Sequence, residues 1–163
     1  MKIVVLADTH IPMTTKSLPA AIFKDINDAD LILHAGDIVE VEALKELEKI
    51  KPVIAVAGNM DSEKTKRLLH TKKTLHLEGF KIGLIHGEGS PESLINFVKN
   101  EFRNIKNLSC IIYGHSHIPS IKKEGGIIYF NPGSPTDKVF APYNSYGVLD
   151  VGEDGIIPRI VKI

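Results

Sequence analysis

Three apolar runs dominate the first third of the chain: Ile3 to Ala7, Leu31 to Ala35 and Val53 to Ala57, interrupted only by His34. They are rich in β-branched residues and lack polar alternation, so each reads as a strand buried on both faces. The stretches between them have helical spacing. A helix over Leu18 to Asn27 places Leu18, Ile22 and Ile26 on one face, with Ser17 as N-cap and Pro19 in the first turn. A second over Val41 to Ile50 turns Leu44 and Leu47 inward and Glu42, Lys45, Glu46 and Lys49 outward. Strand alternating with helix implies a parallel sheet with right-handed crossovers. A short helix over Glu63 to Leu69, capped by Asp61 or Ser62, completes this half.

The second half changes character. Glu78-Gly79-Phe80, Gly125-Gly126 and Glu153-Asp154-Gly155 each separate two strand-like segments and predict three hairpins. They pair Thr74 to Leu77 with Lys81 to Ile85, Ser120 to Lys122 with Ile127 to Phe130, and Tyr146 to Val151 with Ile156 to Val161. A helix from Pro91 to about Asn104 and a strand over Cys110 to Tyr113 lie among them. This half is expected to be largely antiparallel. Together the halves predict an α/β fold: two mixed β-sheets packed as a sandwich with helices on the outer faces, in one domain of 163 residues. With 43% hydrophobic and 25% charged residues the composition is that of a soluble globular protein. A formal net charge of zero gives no basic stripe for nucleic acid and no attraction to an anionic membrane. No run approaches the ~20 apolar residues of a membrane span, and the N-terminal run is too short for a signal peptide, so a cytoplasmic protein is expected. The lone cysteine, Cys110, excludes an internal disulfide and is expected in the core. Unpaired hairpin edges make a homo-oligomer an expectation.

Five of the predicted strands stop at residues of metal-ligand type. The stops are Asp8 with His10, then Asp37, Asn59, His86, and His115 with His117; Gly36, Gly58, Gly87 and Gly114 adjoin four of them. Glycine permits a sharp turn and a close approach, and in open α/β sheets the functional crevice lies beyond the carboxyl ends of the strands. Residues i and i+2 of an extended chain point to one side, so each pair, Asp8 with His10 and His115 with His117, is aimed at one place. Four imidazoles, two carboxylates and one amide oxygen exceed the needs of one ion. Nitrogen and oxygen donors without thiolate suit Mn, Fe, Co, Ni or Zn. Two ions bridged by Asp37, ~3.5–4 Å apart, would suit phosphoester hydrolysis. His34 either supports this site or is a buried histidine with a satisfied ring. Asn131 and Ser134 read first as turn chemistry, with support of the site as the alternative. His70 and His76 are expected at the surface, and Glu40, Glu42, Glu46 and Glu48 form a solvated face.

The ordered set Asp8-x-His10, Gly36-Asp37, Gly58-Asn59-x-Asp61, His86-Gly87 and Gly114-His115-x-His117 resembles the signature of the calcineurin-like metallophosphoesterase superfamily. The length and Asn131-Pro132-Gly133-Ser134 resemble its small single-domain branch of bacterial and archaeal phosphodiesterases (YfcE-like). The resemblance implies a four-layer αββα fold. It implies one ion held by Asp8, His10, Asp37 and His117, and a second held by Asp37, Asn59, His86 and His115. The ions would be divalent, Mn2+ first, with Ni2+, Fe2+, Co2+ or Zn2+ as alternatives. A hydroxide bridging them would attack phosphorus in line. His34 and Asp61 are the candidates to support the ligands, and the substrate would be a small phosphoester. Many relatives have histidine, a phosphate contact or leaving-group acid, where this chain has Met60. A preference for leaving groups needing little protonation, or protonation by metal-bound water, is therefore expected. Two other readings come with the resemblance: a scaffold of the same fold, like the retromer subunit, and a phosphomonoesterase. The full set of candidate ligands favours an enzyme.

Overall fold

A computed structural model describes all 163 residues. The first half runs β1 (Lys2–Leu6), α1 (Ile22–Asp28), β2 (Leu31–His34), α2 (Val41–Glu48), β3 (Val53–Ala55) and α3 (Glu63–Leu68). The second runs β4 (Lys72–Leu77), β5 (Phe80–Ile85), α4 (Pro91–Glu101), β6 (Leu108–Ile112), β7 (Ser120–Glu124), β8 (Ile127–Asn131), β9 (Ser145–Gly152) and β10 (Gly155–Lys162). Helix α1 starts later than its periodicity predicts. The Pro19 and Ala20 carbonyls accept from the N–H groups of Ile22 and Phe23, so tight i→i+3 turns replace the first α-turn while Leu18 stays buried. Ser17 is exposed, and the N-cap position falls to Ala21, which makes no side-chain bond. Helix α3 is capped by Ser62, whose hydroxyl accepts from the Thr65 N–H.

The strands form two five-stranded sheets, ordered β10-β9-β1-β2-β3 and β4-β5-β6-β8-β7. In the first, β1, β2 and β3 are parallel and the last hairpin adds antiparallel to β1. The second departs from the largely antiparallel expectation. Its edge hairpins are antiparallel, but β5, β6 and β8 are parallel. The cause is α4, which carries the chain from β5 back to the start of β6, while β7 swings to the edge and lets β8 return beside β6. Each sheet therefore has three adjacent parallel strands, β1-β2-β3 running out to one side of the first sheet and β5-β6-β8 at the centre of the second.

The layers follow from side-chain alternation. On β1, Ile3, Val5 and Ala7 face the second sheet and meet Ile82, Leu84, Cys110, Ile112 and Phe130 in the main core. Val4 and Leu6 face the other way, against Ile22 and Ile26 of α1 and Leu47 of α2. Leu94, Val98 and Phe102 of the α4 segment cover the outer face of the second sheet over Ile111 and Tyr129. The order helix, sheet, sheet, helix is the expected αββα arrangement. Cys110 is fully buried, and His70 and His76 are exposed.

Gly147 of β9 sits against Phe130 of β8, in the other sheet. A Cβ on Gly147 would lie 2.4 Å from Phe130 Cζ and 3.1 Å from Val5 Cβ, whereas one on Gly152 would meet nothing within 4 Å. Overpacking of this kind costs about 1–3 kcal/mol. The variant Gly147→Ala should therefore unfold at lower urea concentration and lower temperature than wild type, and Gly152→Ala should not. Equal midpoints for the two variants would refute this account of the sheet interface.

Candidate metal centre

The carboxyl ends of both parallel trios meet, and all seven candidate ligands lie at the meeting point. Asp8, His10, Asp37 and Asn59 come from the first sheet; His86, His115 and His117 come from the second. Asp8, His10, Asp37 and His86 are buried, His115 and His117 are partly exposed, and Asn59 is at the surface.

The i, i+2 pairs do converge, but not as extended chain. Strand β1 ends at Leu6 and β6 at Ile112, before either pair begins. Asp8, His10, Asp37, His115 and His117 all adopt left-handed backbone, with φ of 54°, 45°, 58°, 70° and 59°. Such residues cost of order 1–3 kcal/mol each and persist where surrounding bonds over-determine them. Here Asp8 N–H donates to Gly36 O and His10 N–H to Asp37 O, both at 3.0 Å. The His115 N–H donates to the Asp8 carboxylate at 3.0–3.1 Å. Close approach also fixes Gly58, where a Cβ would fall 2.2 Å from Asp37 Oδ1.

Two donor sets result. In one, His117 Nε2 lies 3.3 Å from His10 Nε2 and 3.5 Å from Asp8 Oδ1, and His10 Nε2 lies 3.6 Å from Asp37 Oδ2. In the other, Asn59 Oδ1 lies 3.0 Å from both His86 Nε2 and His115 Nδ1, and His86 Nε2 is 3.3 Å from Asp37 Oδ2. Asp37 Oδ2 faces both sets, the position required of a bridge, while its Oδ1 accepts from the Met60 N–H at 2.7 Å. Asp8 Oδ1 also comes within 3.9 Å of His86 Nε2. His115 and His117 thus belong to different sets.

The donor chemistry fits cations. His86 Nδ1 donates to Ala35 O at 2.8 Å and His115 Nε2 to Gly89 O at 2.9 Å. With those nitrogens engaged, the other ring nitrogen of each faces Asn59 Oδ1, where it is free to serve a cation once deprotonated. Asp137 Oδ2 stands 2.9 Å from His117 Nδ1, close but not aligned as a hydrogen bond, beyond the nitrogen that faces His10. Lone pairs and carboxylates collected this tightly call for positive charge. Donors about 2.0–2.1 Å from a common tetrahedral ion would themselves be ~3.4 Å apart, which the separations match.

The titration shifts carry the same signal. Burial pushes the Asp8 carboxyl up to about 6, against the nearby His86 and His117. Burial alone would depress His86, but the bonded Asp37 carboxylate and the Asp8 charge hold it up at about 9. In the ion-free chain a proton on His86 supplies part of the charge the site draws in. Burial opposes ionisation of Asp37, yet His86 and the Met60 N–H hold its pKa below the usual range. Burial lowers His10 and His115, so both are neutral imidazoles at neutral pH, the form a metal ligand requires.

The supporting residues sort clearly. Asp61 does not cap α3: its carboxylate accepts from Val39 N at 2.6 Å and Gly58 N at 2.7 Å, strapping the Asp37 turn to the Asn59 turn. His34 is fully buried, its Nε2 contacts Thr9 Oγ1 at 3.1 Å, steadying the residue between Asp8 and His10, and its Nδ1 has no hydrogen-bond partner. Burial lowers its pKa to about 3, so it stays neutral. Asn131 serves both expected roles. Its Oδ1 accepts from Gly133 N, and its Nδ2 donates to Gly114 O and Ser116 Oγ on either side of His115. Ser134 Oγ donates to Asp8 O at 2.7 Å. Asp137 was not anticipated; its only sequence signal is a carboxylate three positions beyond Ser134 in a stretch already tied to the site.

Comparison with known proteins agrees with this geometry. The calcineurin-like phosphoesterase superfamily domain matches residues 1–154. A probable metallophosphoesterase of Methanothermobacter thermautotrophicus is 37% identical over 145 residues, covering 83% of this chain and 78% of the relative. Phosphodiesterase YfcE of Escherichia coli is 38% identical over 104 residues, 60% of this chain and 52% of its own length. Vps29 of Chaetomium thermophilum shares the fold, with a TM-score of 0.79 over 100% of this chain and 95% of that one, at 19% identity. Strand-end ligands, layered sheets and the domain match converge: the chain belongs to the calcineurin-like phosphoesterase superfamily, in its small YfcE-like branch.

Proposed function

We propose that this protein hydrolyses phosphodiesters at a centre of two divalent ions, Mn2+ foremost. One ion would be held by Asp8, His10, Asp37 and His117, the other by Asp37, Asn59, His86 and His115. The observation that carries the reading is Asp37 Oδ2, 3.6 Å from His10 Nε2 and 3.3 Å from His86 Nε2, facing both donor sets at once. Bound there, the ions would make hydroxide available near neutral pH and neutralise the phosphoryl oxygens. The chain's own contribution is placement. The Ala35 and Gly89 carbonyls fix which nitrogens of His86 and His115 face the centre. Asp61, Asn131 and Ser134 lock the turns that carry the ligands. Metal content with and without activity tests the reading. Mn2+-loaded protein should cleave bis(p-nitrophenyl) phosphate, and Asp37→Ala should lose one ion or both and about a thousandfold or more in kcat. Full activity in a metal-stripped protein would sink the proposal.

Loading should also move protons. His86 holds its proton up to about pH 9 in the ion-free chain, so at pH 7.5 it must release that proton to become a ligand. Calorimetry in buffers of different ionisation enthalpy should detect proton release on Mn2+ binding. Affinity should then fall as pH is lowered through 9, and further near 6 as Asp8 protonates. Pairing a folded-state proton with a raised pKa means the ion-free protein is favoured by acid at these two groups, and the loaded protein by base. A metal affinity that rises with acidity would contradict the assignment.

Met60 lines the cavity that contains His10, Asp37 and His117 and has no group to protonate a leaving oxygen. Installing an acid should therefore help poor leaving groups most. Met60→His is expected to raise kcat for an alkyl diester by about tenfold or more relative to a nitrophenyl diester. An unchanged ratio between the two would show that leaving-group protonation does not limit this site.

A further inference from the structure

The cavity over the centre has a volume near 410 Å3 and an unusual wall. His10, Asp37, Asn59, His115 and His117 form its floor, while Met60, Ile118 and Phe140 stand at its mouth. These three are among the few large apolar side chains the fold leaves in solvent, 45%, 42% and 72% exposed. No lysine or arginine lines this cavity. The nearby Lys66 belongs to the adjoining cleft behind Asn59 and His86, where its Nζ donates to Asn59 O at 2.9 Å.

Phe140 is held in place. The Asp137 carboxylate accepts from the N–H groups of Val139 at 3.0 Å, Phe140 at 2.8 Å and Ala141. The same carboxylate lies against His117, and the Phe140 ring meets the His117 ring edge-on, centroids 5.8 Å apart. The apolar wall is therefore built onto a candidate ligand.

Resting on the phosphodiesterase reading, we propose that the site selects diesters with an uncharged apolar substituent, aryl or long alkyl, and that Phe140 is a specificity-determining residue. A phosphomonoester dianion brings a second charge on its phosphoryl oxygens and a polyphosphate brings charges beyond the reacting group, and this cavity offers no side-chain cation to meet either. A diester with an apolar arm brings one charge to the floor and covers Phe140, Met60 and Ile118, removing their exposed surface from water.

Binding of diphenylphosphinate and dimethylphosphinate to the Mn2+-loaded protein, measured by calorimetry, tests this. The two carry the same charge and phosphinyl group and differ in apolar area. Wild type should bind the diphenyl compound about tenfold or more tightly, and Phe140→Ala should reduce that ratio to about threefold or less. Phe140→Leu should retain an intermediate preference. In turnover of bis(p-nitrophenyl) phosphate, Phe140→Ala should raise KM about tenfold while kcat changes by about twofold or less, as expected for loss of uniform binding. A wild-type ratio near one, or equal weakening of both phosphinates in Phe140→Ala, would overturn the proposal. The phosphinate ratio is read without turnover, so its failure is distinct from absence of metal-dependent hydrolysis, which would instead overturn the phosphodiesterase reading.

Discussion

Two buried carboxylates, Asp8 and Asp37, meet His10 of their own sheet and three imidazoles from across the seam between the sheets, and the surrounding structure is arranged to hold that concentration of donors. Asp8 is fully buried, yet the only backbone N–H its carboxylate receives is that of His115. An ionised carboxylate in such a place is costly without nearby positive charge. That cost explains why His86 keeps a proton to about pH 9 in the absence of ions. The local backbone is strained at the same place: five of the candidate ligands hold left-handed conformation. Strain and charge repulsion are borne at the same few residues, and one remedy, bound cation, relieves the electrostatic part.

The candidate ligands come from both sheets, so an ion at either position would join them. Asp8, His10 and Asp37 of the first sheet meet His117 of the second in one set; Asp37 and Asn59 meet His86 and His115 in the other. The main core already glues the sheets through Phe130, Ile82 and Leu84 against Val5 and Leu33. Ions would add a second fastening at the open edge, where apolar burial ends and polar groups begin. Metal binding free energy then adds to folding free energy, as for any site that the unfolded chain cannot preform. Asp61 matters in this light because it fixes the two turns of the first sheet against each other before any ion binds.

The sequence made the strands and their polar stops readable because both signals are local. Apolar runs such as Ile3 to Ala7 report burial on both faces, and Gly58-Asn59 reports a close approach that the 2.2 Å clash with Asp37 explains. The direction of the second sheet's centre was not readable. Hairpin turns announce antiparallel neighbours, whereas the pairing of β8 beside β6 depends on where β7 is set aside, a choice made by packing far along the chain. The left-handed ligands escaped for a similar reason: aspartate and histidine tolerate that conformation without requiring it, and the backbone bonds that impose it come from Gly36 and Asp37, distant in sequence. Helix α1 moved because Pro19 and Ala20 were claimed by tight turns while Leu18 found its place without helix.

Asp137 shows how one unanticipated residue connects these levels. Its carboxyl resists ionisation by burial, but contact with His117 and three backbone N–H groups brings it down to about 2. It is therefore a permanent negative charge beside a histidine whose far nitrogen faces the centre. A carboxylate in that place restrains the orientation of the ring. The same three N–H bonds set the path of residues 139–141 and so the position of Phe140 over the cavity mouth. Ser134 and Thr136, just before it, bond the carbonyls of Asp8 and Thr9. Loop 132–144 is thus fastened at one end to the turn that carries Asp8 and in its middle to the ring of His117. A loop anchored in this way cannot shift to accept a different substrate without also moving a ligand, so geometry at the floor and selectivity at the mouth are set together.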